Sequence, residues 1–421
     1  MPQRLLILGN SAAALSAARA IRARGGEQPI TMVSREECSA YSPVLTTYYL
    51  RGQIPEHKLY ICDIGSYREL GIECYFGRAA VELDADAQRV TLDDGSRLEY
   101  DAVLIATGAS AKRLSGLDSE IAREICYLRT IEDARRIHEA VARAERVVVF
   151  GAGLVSLQVA SAVARPHLKV TCVVASRQIL SQNIDEECAA LLCSHVERSA
   201  DIGFLFGTNM TQIARADGGY RVVLDSGEEL SADLLVAGKG VSPNIEFVVR
   251  EQISVDAGIL VDERMRTSAE NVWAAGDLAQ GRNRISGKSE LVANWINACE
   301  QGAVAGANMA GADKAFAGSV AENITTLFGV PVASIGVTRA GREGVDSREV
   351  KHVDEARGIY RKLLFQADKL VGAVLLRDIK DAGVLRSAIV NGSDLGRLEK
   401  EVVAGSVGFA HRLHGCMFAK G

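Results

Sequence analysis

Apolar runs that end in glycine alternate along the chain with small-residue helical segments. The first run, RLLILG, precedes the alanine-rich stretch SAAALSAARAIRARG and a second apolar run, PITMVS. Strand, helix and strand in this order predict a βαβ unit with buried parallel strands. The pattern restarts near residue 145 with RVVVFGAG, the helical LVSLQVASAVA and the strand KVTCVVA. The sequence therefore predicts two nucleotide-type units in tandem.

The remaining pattern predicts the ends of the two units and a further domain after them. The runs YDAVLIATG and ADLLVAGKG end the units, and NVWAAGD precedes a predicted helix through NWINACEQGAVAGANMAG. From about residue 320 the stretches ASIGV, YRKLLFQ and LVGAVLL are typical of an antiparallel sheet, and two helical stretches come after them. We expect an α/β protein with two tandem Rossmann-like dinucleotide-binding domains and a C-terminal α+β interface domain.

Composition narrows the function classes. The chain has 421 residues, 48% of them hydrophobic, which is enough for two or three domains. Its net charge of −5 and the absence of a basic run argue against nucleic-acid binding. The apolar runs are too short and too often broken by glycine to span a bilayer. The N-terminus enters a strand without a leader pattern, so we expect a cytoplasmic protein. The nine scattered cysteines predict reduced thiols.

Two glycine turns carry the candidate chemistry. Residues 9–14, GNSAAA, match G-x-G-x-x-G with Ser11 and Ala14 in place of the second and third glycines. Gly9 makes the tight turn, Ser11 is small enough for a pyrophosphate to approach the backbone, and Ala14 permits close helix packing. The phosphates would lie at the helix N-terminus. Residues 151–156, GAGLVS, repeat this context, and the repetition argues against a purely structural role for both turns.

The residues that would bind the ribose hydroxyls are less regular. An acidic residue usually ends the second strand of such a unit. The first unit has Ser34 at this position, and Glu36 two residues later is the candidate. The second unit has VASR at residues 174–177, without a carboxylate, and Arg177 could pair with a 2′-phosphate. An exposed arginine without a ligand explains this residue equally well, so the sequence leaves NAD and NADP open.

Four stretches, YDAVLIATGAS, ADLLVAGKGVSPN, TSAENVWAAGDLAQ and NWINACEQGAVAGANMAG, occur in an order that resembles the FAD-dependent pyridine nucleotide-disulfide oxidoreductases of the glutathione-reductase-like superfamily. The resemblance covers nearly the whole chain. The chain most resembles the branch that contains rubredoxin reductases, the ferredoxin reductases of ring dioxygenases, the flavin-binding part of nitrite reductase and coenzyme A disulfide reductases.

The resemblance implies an FAD-binding domain at residues 1–110 and 241–318, an NAD(P)-binding domain at 111–240 and an interface or dimerisation domain at 319–421. It implies FAD contacts, including an aspartate that accepts a bond from the ribityl chain, at Gly9, Asn10, Ser11, Ala14, Ser34, Glu36, Tyr41, Pro43, Thr47, Ala106, Thr107, Gly108, Gly276 and Asp277. It implies NAD(P) contacts at Gly151, Gly153, Ser156, Gln158, Ser176, Arg177 and Gly240.

The neutral strip AYSPVLTTYY at residues 40–49 departs from one branch of the family. In coenzyme A disulfide reductases a redox cysteine precedes G-L-P-Y-Y, and the ungapped match here is Val44. The strip therefore resembles an apolar wall beside the isoalloxazine ring, without a catalytic thiol. The alternative is that these tyrosines pack in a core. A second departure is Gln158, where the family often has a glutamate close to the nicotinamide.

Other reactive residues are interpreted as structural. Cys188 and Cys193 have the spacing of a redox pair, but they fall on a predicted helix where side chains five apart diverge by about 140°. Cys38 lies too early in the chain to replace Val44. His411, His414 and Cys416 lack an evident fourth ligand, so no metal site is expected.

The resemblance implies an FAD-dependent NAD(P)H:acceptor oxidoreductase. Hydride would pass between nicotinamide C4 and flavin N5, and single electrons would pass to or from an iron–sulfur protein of the ferredoxin or rubredoxin kind. The chain could be the NAD(P)H-handling subunit of a larger complex or a homodimer. Two alternatives stay open: an NAD(P)H oxidase that reduces dioxygen, and a flavin-binding scaffold without catalysis.

Overall fold

The computed structural model describes residues 4–199, 201–216, 218–341, 344–396 and 399–405. These residues form two compact units. Unit 1 consists of the described parts of Met1–Ser42, Glu56–Ser110 and Ser242–Ala321. Unit 2 consists of the described parts of Pro43–Pro55, Ala111–Val241 and Glu322–Gly421. Both units are therefore assembled from separate segments of the chain.

Strands and helices are numbered in chain order. Unit 1 contains β1 (Leu5–Leu8), α1 (Ala12–Ala23), β2 (Ile30–Ser34), α3 (Ile64–Glu69), β3 (Ile72–Phe76), β4 (Ala80–Asp84), β5 (Arg89–Leu92), β6 (Arg97–Glu99), β7 (Ala102–Ile105), β17 (Ile259–Leu260), β18 (Val272–Ala274), β19 (Ala279–Arg282), β20 (Ser289–Leu291) and α8 (Trp295–Met309).

The main sheet of unit 1 is parallel and has the order β18-β7-β1-β2-β3. Every residue of β1 and β7 is buried, as expected for strands that are covered on both faces. Helices α1 and α8 pack against each other through small residues. A Cβ atom at Gly302 would lie 2.1 Å from the Ala13 carbonyl oxygen, and one at Gly306 would lie 2.2 Å from that of Ala17. Glycine at these positions lets the two helix backbones approach closely.

Unit 2 contains α2 (Thr46–Leu50), α4 (Ser119–Glu124), α5 (Ile131–Val141), β9 (Arg146–Phe150), α6 (Leu154–Val163), β10 (Lys169–Val174), α7 (Glu186–Ser199), β11 (Ile202–Phe206), β12 (Met210–Ala216), β13 (Gly219–Leu224), β14 (Glu229–Ala232), β15 (Leu234–Ala237), β21 (Glu322–Leu327), β22 (Val330–Gly336), β23 (Arg348–Asp354), β24 (Ile359–Gln366), β25 (Lys369–Leu376), α9 (Ala382–Asn391) and α10 (Glu399–Ala404). The chain passes between the units within β8 (Ala109–Ala111) and β16 (Val241–Pro243).

Unit 2 has a parallel sheet of order β11-β10-β9-β15 and a separate antiparallel sheet of order β21-β22-β25-β24-β23. One hydrophobic cluster contains residues of both, including Val149 and Val174 from the first sheet and Val330 and Val374 from the second. The C-terminal sheet thus shares a core with the parallel sheet.

The predicted α/β class and the tandem βαβ units are confirmed, as is the antiparallel sheet after residue 320. The division into three functional domains stays a prediction, since the contacts group the described residues of 43–55, 111–241 and 322–405 together. His411, His414 and Cys416 lie outside the described residues. Among the described helices, none has the length and apolar character needed to cross a bilayer.

Candidate functional site

The first glycine turn joins β1 to α1 in unit 1. Gly9 has φ +122°, and its N–H donates to the Val33 carbonyl oxygen at 2.7 Å. A Cβ at Gly9 would lie 2.1 Å from the Ala106 carbonyl oxygen, so no larger residue fits. Ser11 is the N-cap of α1 and its side chain makes no capping bond. The first N–H groups of this twelve-residue helix therefore have no side-chain cap, and they suit a phosphate anion.

Residues 276–301 contain the second part of the predicted FAD site and lie next to the same turn. Gly276 has φ +90°, and a Cβ there would lie 3.4 Å from the Cβ of Ala13. The N–H of Gly276 donates to Oε1 of Gln301, which is buried on α8, at 2.8 Å. Asp277 is therefore held next to the start of α1. The sequence did not indicate the role of Gln301, because it depends on the packing of α8.

Glu36 is held by an aromatic residue at the end of β2. The hydroxyl of Tyr41 donates to Oε2 of Glu36 at 2.8 Å, and Ser34 is buried at the strand terminus. This bond brings two of the predicted residues together and fixes one carboxylate oxygen of Glu36. The arrangement fits a carboxylate that accepts bonds from ribose hydroxyls.

The side chain of Asn10 has a structural role within the first turn. Its Nδ2 donates to the Cys38 carbonyl oxygen at 3.2 Å, and its Oδ1 accepts from the Tyr67 hydroxyl at 2.7 Å. Tyr67 is buried, and its hydroxyl also accepts from the N–H of Ala40 at 2.8 Å. This network ties the glycine turn to the segment at residues 38–40, and Tyr67 was not among the predicted residues.

The loop at Ala106, Thr107 and Gly108 is closed by Asn244. The Thr107 hydroxyl donates to the Asn244 carbonyl oxygen at 2.7 Å, and the Asn244 side-chain amide donates back to the Thr107 carbonyl oxygen at 2.8 Å. The N–H of Asn244 donates to the Gly108 carbonyl oxygen at 2.9 Å. These reciprocal bonds fix the loop that follows β7, next to the carbonyl against which Gly9 is packed.

The second glycine turn joins β9 to α6 in unit 2, and its departure from the glycine pattern has a structural reason. Gly151 has φ +112°, and a Cβ there would lie 2.5 Å from the Gly238 carbonyl oxygen. Ser156, at the third position of the motif, is buried and donates to that same oxygen at 3.1 Å. A Cβ at Gly238 would lie 2.2 Å from Oγ of Ser156. Because Gly238 has no side chain, the Ser156 hydroxyl has room beside it. The turn therefore does not need a glycine at position 156.

The middle position of the second turn is open. Gly153 is the exposed N-cap of the ten-residue α6, no side chain caps this end, and a Cβ there would meet nothing within 4 Å. Free donors and free space fit a pyrophosphate. Gly240, which follows β15, has φ +87° and accepts a bond from the N–H of Lys112 at 3.0 Å.

Gln158 lies further along α6 and bonds to the C-terminal sheet. Its Nε2 donates to Oγ1 of Thr325, on β21, at 3.0 Å. This contact is within unit 2 and could not be read from the sequence, because the partner is far away in the chain. The amide of Gln158 is therefore oriented by a hydroxyl from the C-terminal sheet.

The strip at residues 40–49 is divided by the fold. Tyr41 is in unit 1, whereas residues 43–55 pack in unit 2, where α2 contacts α5 and α6. Thr47 is buried and Tyr49 stacks against His138 with ring centroids 4.9 Å apart, while the Val44 side chain is 56% exposed. Part of the strip thus packs in a core, as the alternative interpretation predicted, and Val44 is left exposed on the surface of unit 2.

The cysteines within the described residues form no disulfide, and the reduced state of the thiols stays a prediction. Cys188 and Cys193 both lie on α7, and burial raises the pKa of each thiol, that of Cys193 to about 11. Thiols with raised pKa values are poor nucleophiles at neutral pH. No group of three or more potential metal ligands occurs within the part of the chain that the structure describes.

Two family models match nearly all of this architecture. Residues 3–302 match the pyridine nucleotide-disulphide oxidoreductase model, and residues 323–393 match the rubredoxin NAD+ reductase C-terminal domain. The chain belongs to the pyridine nucleotide-disulphide oxidoreductase family. It is an oxidoreductase that uses FAD and NAD(P)H, and its two glycine turns fit two dinucleotides.

The relatives of this family member include subunits of electron-transfer systems. The epsilon subunit of NADH-dependent phenylglyoxylate dehydrogenase from Aromatoleum evansii is 34% identical over 95% of this chain and 94% of that protein. The rubredoxin-NAD(+) reductase of Pseudomonas putida is 30% identical over 73% of this chain and 80% of that protein. Putidaredoxin reductase, solved in a covalent complex with putidaredoxin, has a TM-score of 0.89 at 23% identity and covers 99% of both chains, which shows the shared fold.

Proposed function

We propose that this flavoprotein transfers electrons between NAD(P)H and an iron–sulfur protein or subunit. The relatives include a rubredoxin reductase and a dehydrogenase subunit, and the similarity to the latter covers nearly the full length of both chains. FAD bound in unit 1 would supply the chemistry that exchanges hydride with a nicotinamide and single electrons with an iron–sulfur centre. The protein supplies binding, orientation and the exclusion of competing reactions.

Unit 1 would bind FAD through backbone and small residues. The uncapped N–H groups at the start of α1 would bind the pyrophosphate, and Gly9 and Ser11 would allow it to approach. Glu36, oriented by Tyr41, would accept bonds from the adenosine ribose. Asp277 would accept a bond from the ribityl chain beside the same helix start.

Unit 2 would bind NAD(P)H through the second turn. The N–H groups at the start of α6 would bind its pyrophosphate, with Gly153 leaving space for the phosphate oxygens. The amide of Gln158, oriented by Thr325, would orient the nicotinamide end of the coenzyme without adding a charge. Hydride transfer needs the reacting atoms to be about 3–3.5 Å apart, so positioning is the main task of these residues.

The observation that carries the proposal is the valine at position 44. The resemblance implies that coenzyme A disulfide reductases have a redox cysteine at this point, and here an exposed apolar side chain occupies it. Within the described residues, the segment at 43–55 contains no cysteine at all. In this proposal the electrons leave the flavin without passing through a protein thiol, and an iron–sulfur partner accepts them singly.

The test is anaerobic reduction of the purified holoprotein by NADH and by NADPH, followed by absorbance. We expect the flavin to bleach without a long-wavelength thiolate–flavin charge-transfer band. A band in the wild-type protein would contradict the proposal, because it requires a thiol beside the flavin.

The same sample separates the alternatives. Fast turnover in air without a partner would favour an NAD(P)H oxidase, and failure of both coenzymes to bleach the flavin would favour a scaffold without catalysis. Co-purification with iron–sulfur subunits would identify a complex. The proposal also includes a homodimer that forms through the C-terminal sheet and a cytoplasmic location. Size-exclusion chromatography with light scattering tests the homodimer.

A further inference from the structure

The structure offers a basis for coenzyme choice at the end of β10. In a βαβ unit that binds NAD, an acidic residue at the end of the second strand bonds to the ribose 2′-hydroxyl. Here the residue that follows β10 is Ala175, which is exposed, and residues 174–178 include no carboxylate. The hydroxyl of Ser176 donates to the Gln178 carbonyl oxygen at 2.7 Å. The second unit thus has no carboxylate on this segment to accept bonds from an unphosphorylated ribose or to repel a phosphate.

A cation is present in place of the carboxylate. Arg177 is exposed and makes no hydrogen bond or ion pair with any residue that the structure describes. The side chain of Gln178, next to it, donates to the carbonyl oxygens of Ile179 and Ile184. Those bonds fix the backbone that follows Arg177, while the guanidinium group itself stays available.

A second cation lies on the other side of the glycine turn. Lys239 follows Gly238, whose carbonyl oxygen accepts from Ser156 of the turn. Lys239 likewise has no bonding partner among the described residues. Its side chain reaches solvent, yet neighbouring protein atoms partly desolvate the ammonium group and lower its pKa.

The order of the sheet puts these cations at the same edge. Strands β10 and β15 are the two neighbours of β9 and run parallel to it, so their carboxyl ends and the turn after β9 share one edge. The carboxylate of Asp225 is bonded to the loop after β11. It accepts from the Thr208 hydroxyl and from the N–H of Asn209. The edge therefore carries unpaired positive charge on both sides of the proposed pyrophosphate position.

We infer that the second unit prefers NADPH to NADH, with Arg177 as the residue that recognises the 2′-phosphate. A guanidinium group and a phosphate form charge-assisted hydrogen bonds, and a ribose hydroxyl offers no comparable partner. Lys239 attracts the pyrophosphate common to both coenzymes and does not discriminate between them. The inference rests on the proposed role of unit 2 as the NAD(P)-binding unit. Two of the relatives reported above are named for NAD, so a preference for NADPH would distinguish this chain from them.

The first experiment is calorimetric titration of the purified holoprotein with ADP-ribose 2′-phosphate and with ADP-ribose, which both lack the nicotinamide, keep the pyrophosphate and differ only in the 2′-phosphate. We expect ADP-ribose 2′-phosphate to bind about tenfold more tightly, the gain typical of one charge-assisted contact at an accessible site. In R177Q the two affinities should become equal, through a loss for ADP-ribose 2′-phosphate alone. In K239Q both should weaken by a similar factor, so their ratio should stay as in the wild type.

The matched control is R143Q. Arg143 is also exposed and in unit 2, but it precedes β9 and is therefore at the opposite edge of the sheet. This variant removes the same charge and should change neither affinity. A similar loss in R143Q would mean that the effect reflects the overall charge of the unit and would overturn the assignment to Arg177.

The second experiment separates a failure of this inference from a failure of the proposed function. Anaerobic stopped-flow reduction should give a lower dissociation constant for NADPH than for NADH. Equal constants, a preference for NADH or an unchanged ratio in R177Q would overturn the inference, while reduction by NADH alone would still support the proposed function. Failure of both coenzymes to reduce the flavin would overturn both.

Discussion

Gly302 on α8 is the point where one added methyl group would disturb the support of the first glycine turn. In G302A the new Cβ would lie 2.1 Å from the Ala13 carbonyl oxygen and 2.7 Å from its carbonyl carbon and Cα. All three are backbone atoms, so no flexible side chain can move aside. Ordinary contact needs about 3.5 Å, so the helices would have to separate by roughly 1 Å.

The expected cost comes from this separation. Overpacking of a well-packed core costs about 1–3 kcal/mol in free energy of unfolding. A gap of this size also forfeits about a quarter to a half of the attraction between the atoms that face it. The gain in helix propensity from glycine to alanine returns about 1 kcal/mol. The net loss should be about 2 kcal/mol, which lowers the melting temperature of a unit of this size by about 4–8 °C.

Tryptophan fluorescence is the assay, because both tryptophans of the chain, Trp273 and Trp295, lie in unit 1. A thermal ramp in saturating FAD therefore reports the unfolding of this unit. The affinity of the apoprotein for FAD, followed by flavin fluorescence, should also fall, since α1 begins at the phosphate-binding turn. The matched control is G65A in α3, where the new Cβ would be 3.4 Å from its nearest neighbour, Oδ1 of Asp63.

G65A should leave the melting temperature unchanged or raise it slightly, since alanine favours a helix where space permits. The reasoning would be refuted if G302A melted at the same temperature as G65A and retained FAD equally well. That result would mean that α1 and α8 do not need their close contact.

Three further predictions concern other parts of the molecule. G238A should lower the melting temperature because its Cβ would meet Ser156 at 2.2 Å, and S156G should restore it in the double variant, as calorimetry can measure. E36Q should weaken FAD binding by about tenfold, the loss of one charge-assisted bond, in flavin fluorescence titrations; unchanged affinity would exclude Glu36 from the ribose site. Burial tends to raise the pKa of Asp185, but bonds from Lys362 and Tyr360 outweigh this effect and hold the pKa below its usual value. The contribution of the Asp185 carboxylate to stability should therefore be complete above about pH 4 and be lost as the pH falls further. K362M should remove this contribution and leave the partly buried carboxylate without its cation. Its unfolding midpoint should therefore lie below that of the wild type at pH 7, and the difference should shrink as the pH falls to 3.

The local parts of the fold were predictable from the sequence. Buried parallel strands such as β1 and β9 are short apolar runs, and the helices that follow them begin at small residues with recognisable spacing. Gly9 and Gly151 were also predictable, because a tight turn between a strand and a helix needs a positive φ. Such features depend on residues that are close together in the chain.

Features that depend on distant residues were not predictable. Ser156 departs from the glycine pattern, and its compatibility with the turn depends on Gly238, which belongs to another strand connection. Asn10 has the position of a cofactor contact, yet its side chain bonds to Tyr67 on α3. The segment at 43–55 comes after the first βαβ unit in sequence but packs with the second unit. In each case the decisive partner becomes a neighbour only after folding.

The strand order of unit 1 has a consequence for the way the protein is made. Strands β1, β2, β3 and β7 lie within the first 105 residues, while the neighbouring β18 begins at residue 272 and α8 at residue 295. At a synthesis rate of about 5–20 residues per second, the nascent chain has an open β7 edge and an uncovered α1 for on the order of ten to thirty seconds. Ribosome-bound chains that end before residue 272 should therefore bind chaperones, and slower translation should lengthen the time during which they can aggregate.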